Sequence, residues 1–289
     1  MEKLINKEAK TEEKKEKKSS KKRIISGLIG LPIIALILIF ANKWIMSIFV
    51  AAISVISSYE YFKAFKTNKK ANPSEWYGYI ISILVIFVNF LDDVALKEVI
   101  IALIPISLLV LMIELILSKG NKNITDVAIT MLGICYIPIM LMFLNLIRET
   151  FLNGKLLIWY VIFASWGSDV FAYFIGKKFG KNHFTKLSPN KTTEGCIAGI
   201  VGAVATSIIY TIAINSIFSL SINYFIVSII IIILSVIGQI GDLAASSIKR
   251  HCEIKDFGEL IPGHGGMLDR IDSVIFILPF AYILLGLLI

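Results

Sequence analysis

The chain has 289 residues, 56% of them hydrophobic and only 17% charged, and its mean hydropathy is +0.79. An ordinary soluble domain carries roughly 25% charged residues, so this composition excludes a chain that covers itself with polar surface and predicts an all-α, polytopic membrane protein. The net charge of +8 is concentrated at one end, with ten Lys/Arg against five Glu between Met1 and Arg23; a lysine-rich, aromatic-free segment of this kind reads as a disordered cytosolic tail, not as a nucleic-acid surface.

After this tail, residues 24–289 form one membrane domain. A bilayer-crossing helix needs about 20 mostly apolar residues, and nine runs approach that length: Ile24–Ala41, Trp44–Tyr61, Trp76–Leu91, Val99–Leu117, Ile124–Ile147, Leu156–Gly176, Cys196–Phe218, Ile222–Gly241 and Ile271–Ile289. The first is longer than the roughly 7–15 residue core of a signal peptide and lacks a small-residue cleavage pattern, so it reads as a retained span. Pro32, Pro105, Pro138 and Pro279 fall inside runs, where neighbouring helices satisfy the freed backbone groups. Glu60, Glu114 and Asp126 lie near run ends and are expected to be solvated or snorkelled. The cysteines Cys135, Cys196 and Cys252 are far apart and form neither a disulfide framework nor a zinc pattern; Cys252, in a polar loop, is expected to react from the cytosolic side.

Nine spans assign every loop to a face. The loops Phe62–Glu75, Ser118–Asn123, Lys177–Gly195 and Asp242–Arg270 carry fifteen Lys/Arg, whereas the opposite face has only Lys43, Lys97, Arg148 and Lys155. The positive-inside bias therefore predicts a multi-pass protein of the cell's inner (plasma) membrane, with the N-terminus cytosolic and the C-terminus outside. Both polar, glycine-rich loops then face the cytosol. They show no internal repeat, which argues against an inverted-repeat transporter.

Chemistry-bearing residues begin with Asp169, about two turns inside the sixth run, where an ionisable side chain belongs either to a functional site or to a buried polar pair. The segment from Asp242 to Asp272 is unlike the rest of the chain. It gathers Asp242, Asp256, Asp269 and Asp272 with Lys249, Arg250, Lys255 and Arg270 and the run Pro262-Gly263-His264-Gly265-Gly266. Carboxylates bind Mg2+ and cations bind phosphate, so this mixture suits metal-assisted phosphoryl or nucleotidyl transfer. A helix continued past Gly241 places Asp242, Ser246 and Lys249 on one face. Asp269 and Asp272, three apart, are expected to project toward one point, and the glycines to let backbone N–H groups approach an anion. The plain alternative is a charged loop that only sets topology, against which stands a carboxylate, Asp272, at a span boundary.

Ser247-Ile248-Lys249-Arg250, Lys255-Asp256, Pro262-Gly263-His264-Gly265-Gly266 and Asp269-Arg270-Ile271-Asp272, at these spacings, resemble the signature of the CDP-diacylglycerol synthases, also called phosphatidate cytidylyltransferases. Trp166-Gly167-Ser168-Asp169, Ala172-Tyr173, Gly176, Phe179-Gly180 and Ser188-Pro189-Asn190-Lys191-Thr192-Thr193-Glu194-Gly195 are similar to the upstream part of the same pattern. The resemblance is specific over residues 166–273 and general before them.

The resemblance implies transfer of the cytidylyl group of CTP to phosphatidate, giving CDP-diacylglycerol and pyrophosphate with Mg2+ and room for a second cation. On this reading Asp242, Asp269 and Asp272 hold metal, with Lys249 and Arg250 beside them at the catalytic centre. Ser188, Lys191, Lys255, Asp256, His264, Gly265, Gly266, Arg270 and Asp169 contact substrate, His264 either moving a proton or binding phosphate. The partners implied are CTP, phosphatidate and the bilayer, with a homodimer left open and no nucleic acid. A CTP-dependent lipid alcohol kinase, which would need a base and release CDP, and a transporter are the rival classes.

Overall fold

A computed structural model of the chain describes residues 30, 32–91, 93–185, 187–188, 191–260 and 265–288. The predicted tail Met1–Arg23, the first half of the first run, Pro189, Asn190 and residues 261–264, among them His264, lie outside the described residues. Every regular element described is a helix. In chain order they are α1 (32–40), α2 (Lys43–Thr67), α3 (Glu75–Leu84), α4 (Asp93–Leu117), α5 (Ile124–Ile134), α6 (Met140–Thr150), α7 (Gly154–Ile162), α8 (Ser168–Phe179), α9 (Thr193–Phe218), α10 (Tyr224–His251) and α11 (Leu268–Leu285).

Two pairs of these are continuous. A π-helical turn at Cys135–Ile139, holding Pro138, joins α5 to α6, and another at Phe163–Gly167 joins α7 to α8. Among the described residues, seven helices are long and apolar enough to cross a membrane: Lys43–Thr67, Glu98–Leu117, Ile124–Thr150, Gly154–Phe179, Thr193–Phe218, Tyr224–His251 and Leu268–Leu288. They match the second and the fourth to ninth predicted runs. The third survives as a shorter apolar helix, Glu75–Val88, because it tightens into a 3-10 turn at Val85–Phe90. The chain is thus an all-α, polytopic membrane protein. Its outer faces agree, since Ile101 and Ile116 of α4 are 75% and 77% exposed, a surface stable against lipid and not against water.

The bundle core is built on α2, α6, α7, α9, α10 and α11, which enclose Tyr61, Phe62, Ile137, Ile147, Tyr160, Ile231, Leu234 and Leu278. α8 packs along α9, and α10 against both α9 and α11. Close approach is made by glycine: a Cβ on Gly199 would stand 2.7 Å from the Ser168 carbonyl, and one on Gly195 2.9 Å from the Ala172 carbonyl. Small residues let transmembrane backbones meet in this way.

The carboxylates expected to be solvated are in fact partnered. Asp126 is buried and closes a reciprocal capping box with Asn123, while also accepting the Asn72 N–H at 2.6 Å. Glu114 accepts from Lys122 at 2.6 Å and from the Trp76 indole at 3.2 Å. Glu60 is buried as well. Arg148, assigned to an external loop, is 3% exposed and donates to the carbonyls of Leu38 and Ala41, so it caps the C-terminal end of α1 from α6.

Cys252 also departs from expectation. It is fully buried beneath the α2–α3 turn, where Asn68 donates to its carbonyl and Lys70 pairs with Glu253 at 2.7 Å. Burial pushes its thiol up to about 11, so almost no thiolate exists at neutral pH. A membrane-impermeant maleimide is therefore expected to leave Cys252 unlabelled from either side of sealed membranes. The exposed position 259 serves instead as the probe of sidedness: a Glu259→Cys variant should label from the cytosolic side only. Labelling of Cys252 in the folded protein would contradict its burial, and labelling of the variant from outside would reverse the predicted orientation.

Candidate active site

Asp169, Asp242, Asp269 and Asp272 lie on α8, α10 and α11 at one end of the bundle. Each is placed by a local feature. The π turn at Phe163–Gly167 adds a residue to the turn just before Asp169, and such bulges commonly mark functional sites. The Trp166 indole donates to the Arg270 carbonyl at 3.3 Å. Gln239 of α10 donates to the Ser168 hydroxyl at 3.3 Å and to the Cys196 carbonyl at 3.0 Å, tying α8, α9 and α10 at one level.

The loop before α9 is folded back by its own hydrogen bonds. Thr192 caps α9 by accepting from the Gly195 N–H at 3.1 Å. Glu194 accepts from the Asn182 side chain at 2.9 Å and from the Lys181 N–H at 3.2 Å. A one-residue antiparallel bridge joins His183 to Thr192, and the Ser188 carbonyl accepts from the Lys191 N–H at 3.1 Å. Lys191 is thereby directed to α10, where its ammonium pairs with Asp242.

α10 does continue past Gly241, to His251, so Asp242, Ser246 and Lys249 share a face as the spacing predicts. They do not share partners. Lys249 pairs with Asp269 at 2.9 Å, the two side chains being 12% and 2% exposed. The other oxygen of Asp269 accepts the N–H groups of Phe257 at 2.8 Å and Gly266 at 3.0 Å. Gly265 stands at φ +84°, and a Cβ there would meet that Asp269 oxygen at 3.2 Å. The glycine run thus does bring an N–H to an anion, and the anion is the chain's own Asp269.

Asp269 and Asp272 take different hydrogen-bond partners. Asp269 serves Lys249 and the loop. Asp272, 7% exposed, accepts from the Ser273 N–H at 2.7 Å, and the charges acting on it are those of Asp242, Lys249 and Asp169. Asp169 in turn lies within the field of Asp242, Lys191 and Arg270. Arg250, Lys255, Asp256 and Arg270 are exposed around this centre, Asp256 lying alongside Gly265.

Carboxylate oxygen is the donor that Mg2+ selects, and Mg2+ sites use one or two protein carboxylates completed by water and substrate phosphate. Among the described residues no three His, Cys, Asp or Glu side chains form a ready metal cage. Asp242 and Asp272, two anions in mutual repulsion beside Asp169, fit an ion that substrate completes. The Tyr136 hydroxyl adds to this fit: it is buried with no hydrogen-bond partner among the described residues and sits in the field of Asp272, Asp242 and Asp269. Tyr136 carries no sequence signal beyond its neighbour Pro138.

Glu60 is the other residue the sequence reading missed. Its two carboxylate oxygens accept the N–H groups of Met267 at 2.9 Å and Leu268 at 2.8 Å. The available signal was an ionisable residue at the penultimate position of a run otherwise free of charge.

The matches to known proteins cover the whole membrane domain. The model of the Cytidylyltransferase family matches residues 21–288. A phosphatidate cytidylyltransferase of Bacillus subtilis (strain 168) is 32% identical over 275 residues, covering 92% of this chain and 98% of that protein. A protein of the same name from Staphylococcus saprophyticus is 36% identical over 198 residues, 68% of this chain and 72% of that protein. One from Staphylococcus aureus (strain COL) is 39% identical over 185 residues, 64% and 68% respectively. With a family match from end to end of the bundle and the acidic and basic residues of the motif gathered at one end of it, the chain belongs to the Cytidylyltransferase family.

Proposed function

We propose that the chain is a phosphatidate cytidylyltransferase, which joins CTP to phosphatidate and releases pyrophosphate. The observation that carries this reading is the meeting of Asp169, Asp242 and Asp272 with Lys191 and Lys249 at a span boundary, where a nucleotide from water and a phosphate on a lipid can reach one another.

The reaction needs no general base. A phosphomonoester has a second pKa near ~6, so the attacking oxygen of phosphatidate is anionic at neutral pH. That oxygen forms a bond to the α-phosphorus of CTP as the bond to the β-phosphate oxygen breaks, and pyrophosphate departs with the electron pair. The obstacle is repulsion between two polyanions. Lys191 and Lys249 are poised to exchange their present carboxylate partners for phosphate oxygens, and the exposed Arg250, Lys255 and Arg270 extend the cationic rim. Ser188, Asp256, Gly265 and Gly266 line the loops that such a nucleotide would enter; Gly266 already donates its N–H to Asp269.

Asp242 and Asp272 would hold Mg2+, which would supply charge neutralisation at the phosphates. Asp269, with both oxygens engaged, holds Lys249 and the loop in register, and it would be free to join them at the metal if Lys249 turned to substrate. The basic loops and the cytosolic supply of CTP support a reading in which this end of the bundle faces the cytosol at the inner membrane.

Purified protein in liposomes should release one pyrophosphate per CDP-diacylglycerol formed, only when both substrates are present. Asp242→Asn and Asp272→Asn should each lower turnover roughly 100-fold or more, with partial recovery at high Mg2+. Asp269→Asn should lower it without such recovery, because its defect is in geometry. Near-wild-type rates at low Mg2+ in Asp242→Asn and Asp272→Asn would remove the metal assignment.

Lys191→Ala should leave yield and insertion intact and raise the KM for CTP or phosphatidate about tenfold, the equivalent of one lost charge-assisted contact. An unchanged KM would return Lys191 to a purely topological role.

A further inference from the structure

We infer that Glu60 is a positioning residue for the reaction: from α2 it caps α11 and so fixes where Asp269 and Asp272 stand. The inference rests on the reading that these two aspartates work in the transfer. α11 has no side-chain cap from its own N-cap residue, Met267, whose thioether is at best a weak acceptor and makes no cap hydrogen bond. A helix start buried without partners for its N–H groups is unstable. Glu60, 207 and 208 residues away in sequence, supplies both missing acceptors to Met267 and Leu268.

The loop is moulded around this carboxylate. A Cβ on Gly258 or on Gly266 would come within 2.5 Å of a Glu60 oxygen, so both positions have only hydrogen where the carboxylate passes. Two carboxylates therefore share the amides at the start of α11. Glu60 takes Met267 and Leu268, and this leaves Asp269 to take Gly266 and Phe257 while its other oxygen holds Lys249. An anion also favours a helix N-terminus electrostatically.

α2 is well suited to set a position. Tyr61 and Phe62, next to Glu60, are fully buried in the core. Two to three turns' worth of residues beyond Glu60, Asn68 donates to the Cys252 carbonyl and Lys70 pairs with Glu253. α2 and the turn that follows it thus grip the segment between α10 and α11 at both ends, and Glu60 is the contact at the α11 end, where the aspartates are.

The test uses the full chain in liposomes, with turnover per folded molecule, a Mg2+ titration and amide hydrogen exchange over residues 265–270. Glu60→Ala should expose the Met267 and Leu268 amides to exchange, lower kcat roughly 10- to 100-fold as outer-shell partners of metal ligands do, and raise the Mg2+ requirement. Glu60→Gln keeps the size and one carbonyl acceptor, is the variant to rely on where Ala does not insert, and should fall between wild type and Ala in all three readouts. A lower melting temperature with unchanged turnover, Mg2+ requirement and exchange in Glu60→Gln would make the residue merely structural and overturn the inference. Asp269→Asn run alongside separates the two levels: an inactive Asp269→Asn with a fully active Glu60→Ala overturns the positioning role alone. Full activity in Asp269→Asn removes the reading beneath it.

Discussion

A carboxylate inside a membrane-spanning bundle costs several kcal/mol unless it is paired or hydrogen-bonded, and this chain brings Glu60, Asp169, Asp242, Asp269 and Asp272 to one end of its bundle. The arrangement of that end follows from the need to partner them. Glu60 takes two helix-start amides, Asp269 takes the loop amides of Phe257 and Gly266 together with Lys249, and Asp242 takes Lys191. Asp169 and Asp272 remain under the field of Asp242, which outweighs that of either Lys191 or Arg270 at Asp169 and that of Lys249 at Asp272. The partnered members hold the loops, and the under-compensated ones are where a substrate cation and substrate phosphates gain most.

The same division explains why a lipid enzyme puts its reaction at a span boundary. Phosphatidate presents its phosphate at the level of the headgroups, whereas CTP arrives from water. A site deep in the bundle would have to desolvate CTP completely, and a site on a distant loop would have to lift the lipid from the bilayer. On the proposed reading, the ends of α8, α10 and α11 would meet both substrates with neither cost. The lysines that pair with Asp242 and Asp269 would face the incoming phosphates already oriented.

Much of this was legible in the sequence, because it is written in local patterns. Seven of the apolar runs appear as long helices, and the shared face of Asp242, Ser246 and Lys249 follows from helical spacing alone. What the sequence hid depends on contacts between distant segments. Lys249 chooses Asp269 over its own helix neighbour Asp242, and Arg148 leaves its loop to cap α1. Cys252 is covered by a turn nearly two hundred positions earlier in the chain. Glu60 looked like a snorkelling carboxylate because its partners are backbone amides, which leave no mark in a list of side chains. The glycines at Gly258 and Gly266 were a further trace, since each is small where that carboxylate passes.

Which phosphorus of CTP enters the lipid tests the account most directly. With CTP labelled at the α-phosphorus, and phosphatidate in liposomes containing the purified chain, the label should move into the lipid product while γ-label leaves as pyrophosphate. Transfer of γ-label to lipid with release of CDP would contradict the account, because it would mean that a lipid hydroxyl, and not an anionic phosphate, is the group that this end of the bundle brings to the nucleotide.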